Sequence, residues 1–170
     1  SNFPDIKLFI KTKNLRYIPV MIEVKGTKGN FIKENLNGEI ENQAKDKSPH
    51  FNNIQKYAVN GAVHYSNAII NYTSSFKEVI AIGFNGYEKQ DKNITTELGV
   101  YYISSDNFCI PKKVGNYSDL TFLLDKHIDD FISEIDNINL TTDEIETIAK
   151  EYENEIEIKL KNLNQIMEDT

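Results

Sequence analysis

The sequence predicts an α/β fold, and three kinds of segment support this prediction. Two strand-like segments open the chain, an amphipathic helical segment comes after a polar stretch, and short apolar runs typical of buried strands come next. Helical periodicity returns in the last third. With 170 residues, 39% of them hydrophobic, the chain is long enough for about one domain with an appendage.

The first two strands are predicted to form an antiparallel hairpin. In FPDIKLFI, residues 3–10, polar and apolar residues alternate after Pro4, and residues 18–25, IPVMIEVK, form a second strand-like run beyond a short polar link. A turn centred near Asn14 pairs residues whose numbers sum to about 28. Asp5 is then opposite Glu23.

A loop and a helix follow the hairpin. Residues 26–50 contain few large apolar side chains, which predicts a mobile loop with a short helix near residues 35–45. From Phe51 to Tyr72 apolar and small residues recur at steps of three and four, which is typical of one face of a helix. The small residues on that face would allow the helix to lie close to a sheet.

Further strands and helices complete the predicted order of elements. Strands are predicted at residues 77–84, 97–104 and 107–111, with a turn at Asn85-Gly86 after the first of them. Helical spacing covers residues 118–135. A second helix begins at Thr141, where Glu144 completes a capping box, and continues to the end of the chain. This acidic helix keeps an apolar stripe, so it either leads into another domain or folds back on the core.

Charge and composition limit the partners and the compartment. The net charge is −7, but the first 56 residues have ten lysines and arginines against six aspartates and glutamates, a net charge of +4. The remainder has nine against twenty, a net charge of −11. The basic segment would neutralise phosphates locally, although a chance fluctuation explains the count equally well. Because no apolar run approaches the roughly 18 residues of a membrane span and Cys109 is the single cysteine, we expect a cytoplasmic protein without a membrane partner.

The candidate site is formed by the charged residues at one end of the predicted hairpin. Glu23 and Lys25 lie two residues apart on a strand and therefore on one face, and Asp5 is opposite Glu23. Two carboxylates at this distance repel each other unless a cation lies between them. Carboxylate oxygens, the main-chain carbonyl of Val24 and water suit Mg²⁺ or Mn²⁺. Lys25 would hold and help deprotonate a metal-bound water that attacks a phosphodiester.

These residues resemble a known nuclease family. Pro4-Asp5 followed, after a hairpin, by Glu23-Val24-Lys25 resembles the PD-(D/E)xK nuclease superfamily, and the segments NIQKYAVNGAVHYSNAII and KEVIAIGFNG are similar to the helix and strand that complete its core. The resemblance is to the nuclease domains of type I and type IIG restriction enzymes. It implies a restriction-endonuclease-like core with a central mixed β-sheet flanked by helices. It also implies that Asp5 and Glu23 bind Mg²⁺ and that Lys25 positions the nucleophile.

The chain departs from the family in two places. The family usually has a helix and a first strand before the Asp strand, whereas four residues precede Asp5, so that part is missing or replaced. Gln55 lies near the place of the glutamine in a Q-x-x-x-Y motif of related nucleases, but position 59 is Val59. Gln55 is therefore a candidate catalytic residue near the metal or DNA. The resemblance implies a nuclease core over residues 1–115 and a helical extension or connector over residues 116–170.

The expected function is that of a metal-dependent DNA endonuclease domain of a restriction enzyme. Its partners would be double-stranded DNA and further domains or subunits of a restriction-modification enzyme. The alternative is a catalytically inactive nuclease-fold module that binds DNA or a docking partner, in which the acidic residues belong to an ordinary surface ion cluster.

Overall fold

A five-stranded mixed sheet forms the centre of the fold, in a computed structural model that describes residues 3–169. The strands are β1 (Ile6–Lys11), β2 (Tyr17–Lys25), β3 (Glu78–Glu88), β4 (Ile94–Ser104) and β5 (Lys112–Lys113). The α-helices are α1 (Phe51–Lys56), α2 (Ala58–Tyr72), α3 (Ile128–Asp136) and α4 (Thr142–Glu168). By its packing the chain divides after Ile138, so α4 belongs to a second unit and the other elements to the first.

The strands lie side by side in chain order from β1 to β5. β2 and β3 are parallel, and the other neighbouring strands are antiparallel. A parallel pair needs a long crossover connection, and the segment between β2 and β3 contains α1 and α2. The α/β class with a central mixed sheet flanked by helices is confirmed. The arrangement is consistent with the restriction-endonuclease-like core that the resemblance implies.

The predicted hairpin and its register are also confirmed. Ile6 pairs with Ile22 and Lys11 pairs with Tyr17 across the antiparallel strands β1 and β2. Asp5 directly precedes β1, and Glu23 directly follows Ile22. The observed register therefore continues toward these two acidic residues at the same end of the hairpin.

Apolar clusters cover both faces of the sheet. On one face Ile80 and neighbouring strand residues pack with Phe131 of α3. On the other face Val59 and Val63 of α2 pack with Ala81 of β3. Alternate residues of a strand point to opposite faces, so one short run such as VIAI supplies both clusters.

Two strand glycines let α2 approach the sheet closely near the end of β2. A Cβ atom at Gly83 would lie 2.6 Å from Val59 of α2, and one at Gly99 would lie 3.3 Å from Cγ2 of the same residue. Both distances are too short for ordinary packing, so larger residues here would push α2 away. Gly83 pairs with Glu23 of the parallel neighbour β2. The close approach therefore places the beginning of α2 beside the charged end of the hairpin.

The prediction of a short helix near residues 35–45 is wrong. This part of the chain has isolated β-bridges, Glu34 with Ile40 and Gln43 with Pro49. The side chain of Asn35 accepts hydrogen bonds from the main-chain N–H groups of residues 37 and 39 (2.9 and 3.0 Å). An asparagine side chain that bonds to the main chain in this way favours turns over helix.

Buried Asn60 of α2 holds this loop in place. Its side-chain Oδ1 accepts from the N–H of Lys33 (2.8 Å), and its Nδ2 donates to the carbonyl of the same residue (3.1 Å). Asn42 Nδ2 donates to the carbonyl of Asn60 (2.9 Å). The loop therefore satisfies polar groups of α2 that would otherwise be buried without partners.

Other predicted elements are corrected by the structure. Asn85-Gly86 is not a turn, because both residues lie within β3. The strand predicted at residues 107–111 is wrong, because Phe108 and Cys109 have left-handed φ values of 56° and 58°, which do not occur in a strand. β5 begins only at Lys112.

The predicted helices are confirmed in part. The helical segment from Phe51 is interrupted at Tyr57, whose extended main chain separates α1 from α2. Within residues 118–135 only the part from Ile128 is α-helical, after a 3-10 turn at Thr121–Leu123 that Asp119 supports by accepting from the Thr121 N–H (2.9 Å).

The second unit consists mainly of α4. The capping box of Thr141 and Glu144 is present as predicted, with hydrogen bonds of 3.2 and 3.1 Å. The apolar stripe of α4 is exposed, so its interpretation as a connector stays a prediction. The functional boundary after residue 115 also stays a prediction, although Phe131 and Ile135 beyond it pack on the sheet. Across residues 3–169, no helix combines the length and the apolar character that crossing a membrane requires.

An ion-pair cluster ties the hairpin turn to β3 and α3. Arg16 donates from Nε and Nη2 to both carboxylate oxygens of Glu78 (2.9 and 2.6 Å) and from Nη1 to Asp136 (2.8 Å). The hydroxyl of Tyr102 also donates to Glu78 (2.9 Å). These carboxylate partners raise the pKa of Arg16 above its usual range, while burial and the Glu78 charge raise the pKa of Tyr102 to about 12. Both oxygens of Glu78 therefore have partners.

We expect Arg16→Met to lower the free energy of unfolding by about 1–3 kcal/mol, because it leaves partly buried carboxylate oxygens without their charged donor. Arg16→Lys should recover part of this loss, since an ammonium keeps the charge but not the two parallel hydrogen bonds. Urea unfolding of the parent, Arg16→Met and Arg16→Lys measures the loss and the partial recovery. Equal stability of Arg16→Met and the parent would show that the cluster contributes nothing.

Candidate active site

The end of the β1–β2 hairpin brings together the charged side chains predicted from the sequence. Lys25 Nζ lies 3.2 Å from Glu23 Oε1. Asp5 Oδ2 accepts a hydrogen bond from the main-chain N–H of Val24 (2.8 Å). Asp5 is exposed, whereas Glu23 lies at the inner end of the group. The end of β2 therefore has a solvent-facing carboxylate, that of Asp5, and a buried one, that of Glu23.

Glu23 is an unusually placed carboxylate. Only 6% of its surface is exposed. Burial raises the pKa of Glu23, the hydrogen bond and charge of Lys25 partly offset this rise, and the Asp5 charge adds to it. Within the part of the chain that the structure describes, Glu23 Oε2 is buried without a hydrogen-bond partner. A buried carboxylate oxygen without a partner is costly, so this oxygen is available to a ligand.

Helix α2 closes the site from one side. A Cβ atom at Gly61 would lie 2.9 Å from the carbonyl oxygen of Ile54 and 3.1 Å from Cγ of Glu23. Because glycine lacks this atom, α2 can lie directly on the Glu23 side chain. Gly61 therefore fixes the depth at which Glu23 is buried.

Tyr65 is a further residue near the two carboxylates. Burial raises the pKa of Tyr65, and the charges of Glu23 and Asp5 raise it further. Tyr65 lies within the segment from Phe51 to Tyr72 that was predicted to be helical, and no role in the site was predicted for it. Its spacing of four residues from Gly61, on the same face, is the signal that relates it to Glu23.

Gln55 lies on α1 and lines a shallow cavity of about 600 Å³. The cavity is lined by His50, Asn52, Asn53, Gln55, Lys56 and Tyr57. Among the described residues no hydrogen bond or ion pair joins Gln55 to Asp5, Glu23 or Lys25. The catalytic role that the resemblance suggested for Gln55 therefore stays a prediction.

A row of polar residues crosses the sheet next to Glu23. Lys25 of β2 pairs with Asn85 of β3, which in turn pairs with Glu97 of β4. Asn85 Nδ2 donates to the carbonyl of Thr27 (2.9 Å) and to Glu97 Oε1 (3.1 Å). This row was not predicted from the sequence, because Asn85-Gly86 is a typical turn pair.

The donor set at the hairpin end fits a hard divalent cation. No three His, Cys, Asp or Glu side chains gather into a metal-binding group within residues 3–169. A cation at this site would therefore have two carboxylates, those of Asp5 and Glu23, and would complete its shell with carbonyl oxygen and water. Mg²⁺ commonly keeps several waters and uses one or two carboxylates. The observation that supports a cation here is Glu23 Oε2, which has no hydrogen-bond partner among the described residues.

A comparison with curated proteins gives a partial similarity. Over 75 residues, 44% of this chain, the sequence is 37% identical to a protein of Heyndrickxia coagulans described as the type II restriction enzyme and methyltransferase RM.BcgI. The match covers 10% of that protein's length. No family model and no solved structure matches the chain.

We expect the burial of Glu23 to lower stability as the pH rises. The unfolded chain ionises Glu23 near its ordinary pKa of 4.5, whereas burial raises the pKa of the folded group. The contribution of Glu23 to stability is therefore complete below pH 4.5 and is lost as the pH rises through the raised value. In chelator-treated buffer, Glu23→Gln should melt near the parent temperature at low pH and about 2–5 °C above it at neutral pH.

The exposed carboxylate of Glu88 is the matched control, and Glu88→Gln should leave the melting temperature unchanged at both pH values. A parent that is more stable than Glu23→Gln at neutral pH would mean that the bond to Lys25 outweighs the burial of Glu23.

We expect Gly61→Ala to be destabilising by roughly 1–3 kcal/mol, because the new methyl group overlaps Ile54 and Glu23. Helix propensity alone predicts the opposite sign, a gain of about 1 kcal/mol. Gly26→Ala is the control, since its Cβ would meet only the Gly86 carbonyl at an ordinary 3.7 Å. Urea unfolding distinguishes these outcomes, and a stabilised Gly61→Ala would show that α2 has room to move away from Glu23.

Proposed function

We propose that this chain is the Mg²⁺-dependent DNA endonuclease domain of a restriction enzyme. The observation that carries the proposal is the buried carboxylate of Glu23, whose Oε2 has no partner among the described residues while Asp5 and Lys25 lie beside it. The partial similarity to a restriction enzyme and methyltransferase supports the same class of function.

Asp5 and Glu23 are the side chains that would hold the cation, with the main-chain carbonyl of Val24. Mg²⁺, or Mn²⁺ in its place, supplies charge neutralisation at the phosphate and a more acidic water. Lys25, whose ammonium group lies against Glu23, would orient this water. At Gly61, helix α2 lies directly against the Glu23 side chain and excludes water from one side of the carboxylate.

Double-stranded DNA is the proposed substrate. The part of the sequence that contains Asp5, Glu23 and Lys25, residues 1–56, has a net positive charge that the remainder of the chain lacks. Lysines in this segment would neutralise DNA phosphates and make binding sensitive to salt. Because the similar protein joins restriction and methyltransferase activities, we propose that this chain works with further domains or subunits of a restriction-modification enzyme.

The first test is cation binding by the 170-residue chain, measured by calorimetry with Mg²⁺ and Mn²⁺. Asp5→Asn and Glu23→Gln should each weaken binding at least about tenfold, since the loss of even an outer partner of a metal ligand costs roughly 10–100-fold. Lys25→Met should still bind the cation, because it removes no oxygen ligand. Glu88→Gln is the control and should bind like the parent.

The second test is nicking of supercoiled plasmid with Mg²⁺. We expect Lys25→Met to reduce the nicking rate by about 100-fold or more, the usual contribution of a group that moves a proton in the reaction. Chelation should abolish nicking by the parent. Equal nicking by the parent and by Glu23→Gln, or no cation binding by the parent, contradicts the proposal and favours the catalytically inactive DNA-binding or docking module.

A further inference from the structure

Asn85 is a fully buried amide in the centre of the sheet, directly beside Lys25. None of its surface is exposed. Both acceptors of its Nδ2 group, the Thr27 carbonyl and the Glu97 carboxylate, lack a hydrogen to donate. They therefore fix which end of the amide carries the nitrogen. Asn85 Oδ1 occupies the other end and, among the residues that the structure describes, has no hydrogen-bond partner.

A buried amide oxygen without a donor costs free energy that an apolar residue of similar size would avoid. Asn85 and Lys25 are direct partners on parallel strands, so their side chains leave the sheet on the same face. An ammonium group carries three hydrogens and accepts none. In the structure the only side-chain hydrogen bond described for Lys25 goes to Glu23 Oε1.

A cation at Glu23 competes with Lys25 for the same carboxylate. Positive charge on the Glu23 oxygens repels the ammonium and weakens its bond to Oε1. Lys25 is only partly exposed, with 22% of its side-chain surface accessible, so water compensates incompletely for a lost partner. Asn85 Oδ1 is a neutral acceptor on the neighbouring strand. A hydrogen bond to it would keep Lys25 at the site.

We propose that Asn85 is the positioning residue for Lys25, and that Asn85 Oδ1 accepts the Lys25 ammonium when a divalent cation binds to Glu23. Glu97 and Thr27 hold the amide in the orientation that this requires. The inference rests on the proposed function, because it gives Asn85 a role only where a cation and Lys25 share Glu23. In this role Asn85 affects cation binding through Lys25 and does not itself coordinate the cation.

The test is a double-mutant cycle on Mg²⁺ affinity, measured by calorimetry on the 170-residue chain. Asn85→Ala should weaken Mg²⁺ binding by about tenfold in the parent, the usual effect of losing one hydrogen bond to a charged group. In the Lys25→Met background the same change should alter the affinity less than about twofold, because no ammonium remains to be held. A purely structural role would weaken binding equally in both backgrounds.

Asn67→Ala is the matched control, since Asn67 Oδ1 is also buried without a partner but lies on α2, beyond Gly61. It should leave the Mg²⁺ affinity unchanged. Asn85→Val is the second variant if Asn85→Ala does not fold, because it fills more of the space of the amide and has no oxygen that could accept the ammonium. We expect it to reproduce the loss of affinity and the dependence on Lys25.

The outcomes separate this inference from the proposed function. A parent that binds no cation overturns both. A parent that binds Mg²⁺ normally, with Asn85 variants that bind equally well or lose affinity regardless of Lys25, overturns the inference and leaves the nuclease proposal intact. Melting temperatures of all variants, measured in parallel, identify any loss that comes from unfolding.

Discussion

The burial of the Glu23 carboxylate is the constraint on which the arrangement of the site depends. An ionised carboxylate that loses water must gain partners or change its pKa. Lys25 supplies one partner to Oε1, and burial nevertheless raises the pKa of Glu23. The remaining oxygen, Oε2, defines a place where positive charge is favoured, beside the exposed carboxylate of Asp5.

This burial results from the sheet and from glycines, rather than from the charged residues themselves. Gly83 and Gly99 let Val59 approach the strands closely, and Gly61 then lies directly against Glu23. Because interiors are packed densely, a methyl group at any of these positions would push α2 away from the sheet or from Glu23. Stability and site geometry are therefore coupled through the same helix.

The sequence was sufficient to predict the hairpin and the convergence of its charged residues. Alternation of polar and apolar residues indicated β1, a run of apolar residues indicated β2, and the short connection between them left little freedom in their register. Local rules of this kind depend on neighbours in sequence, so they can be applied without a structure. The roles of Asp5, Glu23 and Lys25 remain proposals.

The partners of buried polar residues were not predictable in this way. Asn85 was assigned to a turn because Asn-Gly is a strong turn signal, but Thr27 and Glu97 satisfy its amide nitrogen within β3. Asn60 similarly fixes a loop through residues about thirty positions away in the sequence. Such hydrogen bonds join segments that only the folded chain brings together, and local propensity contains no information about them.

Two acidic clusters in this chain differ in how completely the oxygens of their glutamates are hydrogen-bonded. Glu78 lies in a cluster in which Arg16 and Tyr102 donate to its two oxygens, as expected for a group that contributes stability alone. Glu23 is more deeply buried, yet within residues 3–169 neither its Oε2 nor Asn85 Oδ1 on the adjacent strand has a hydrogen-bond partner. Each such atom costs roughly 1–3 kcal/mol. A surface ion cluster does not explain two of these atoms beside one lysine, whereas the proposed cation, together with a displaced ammonium, would account for both.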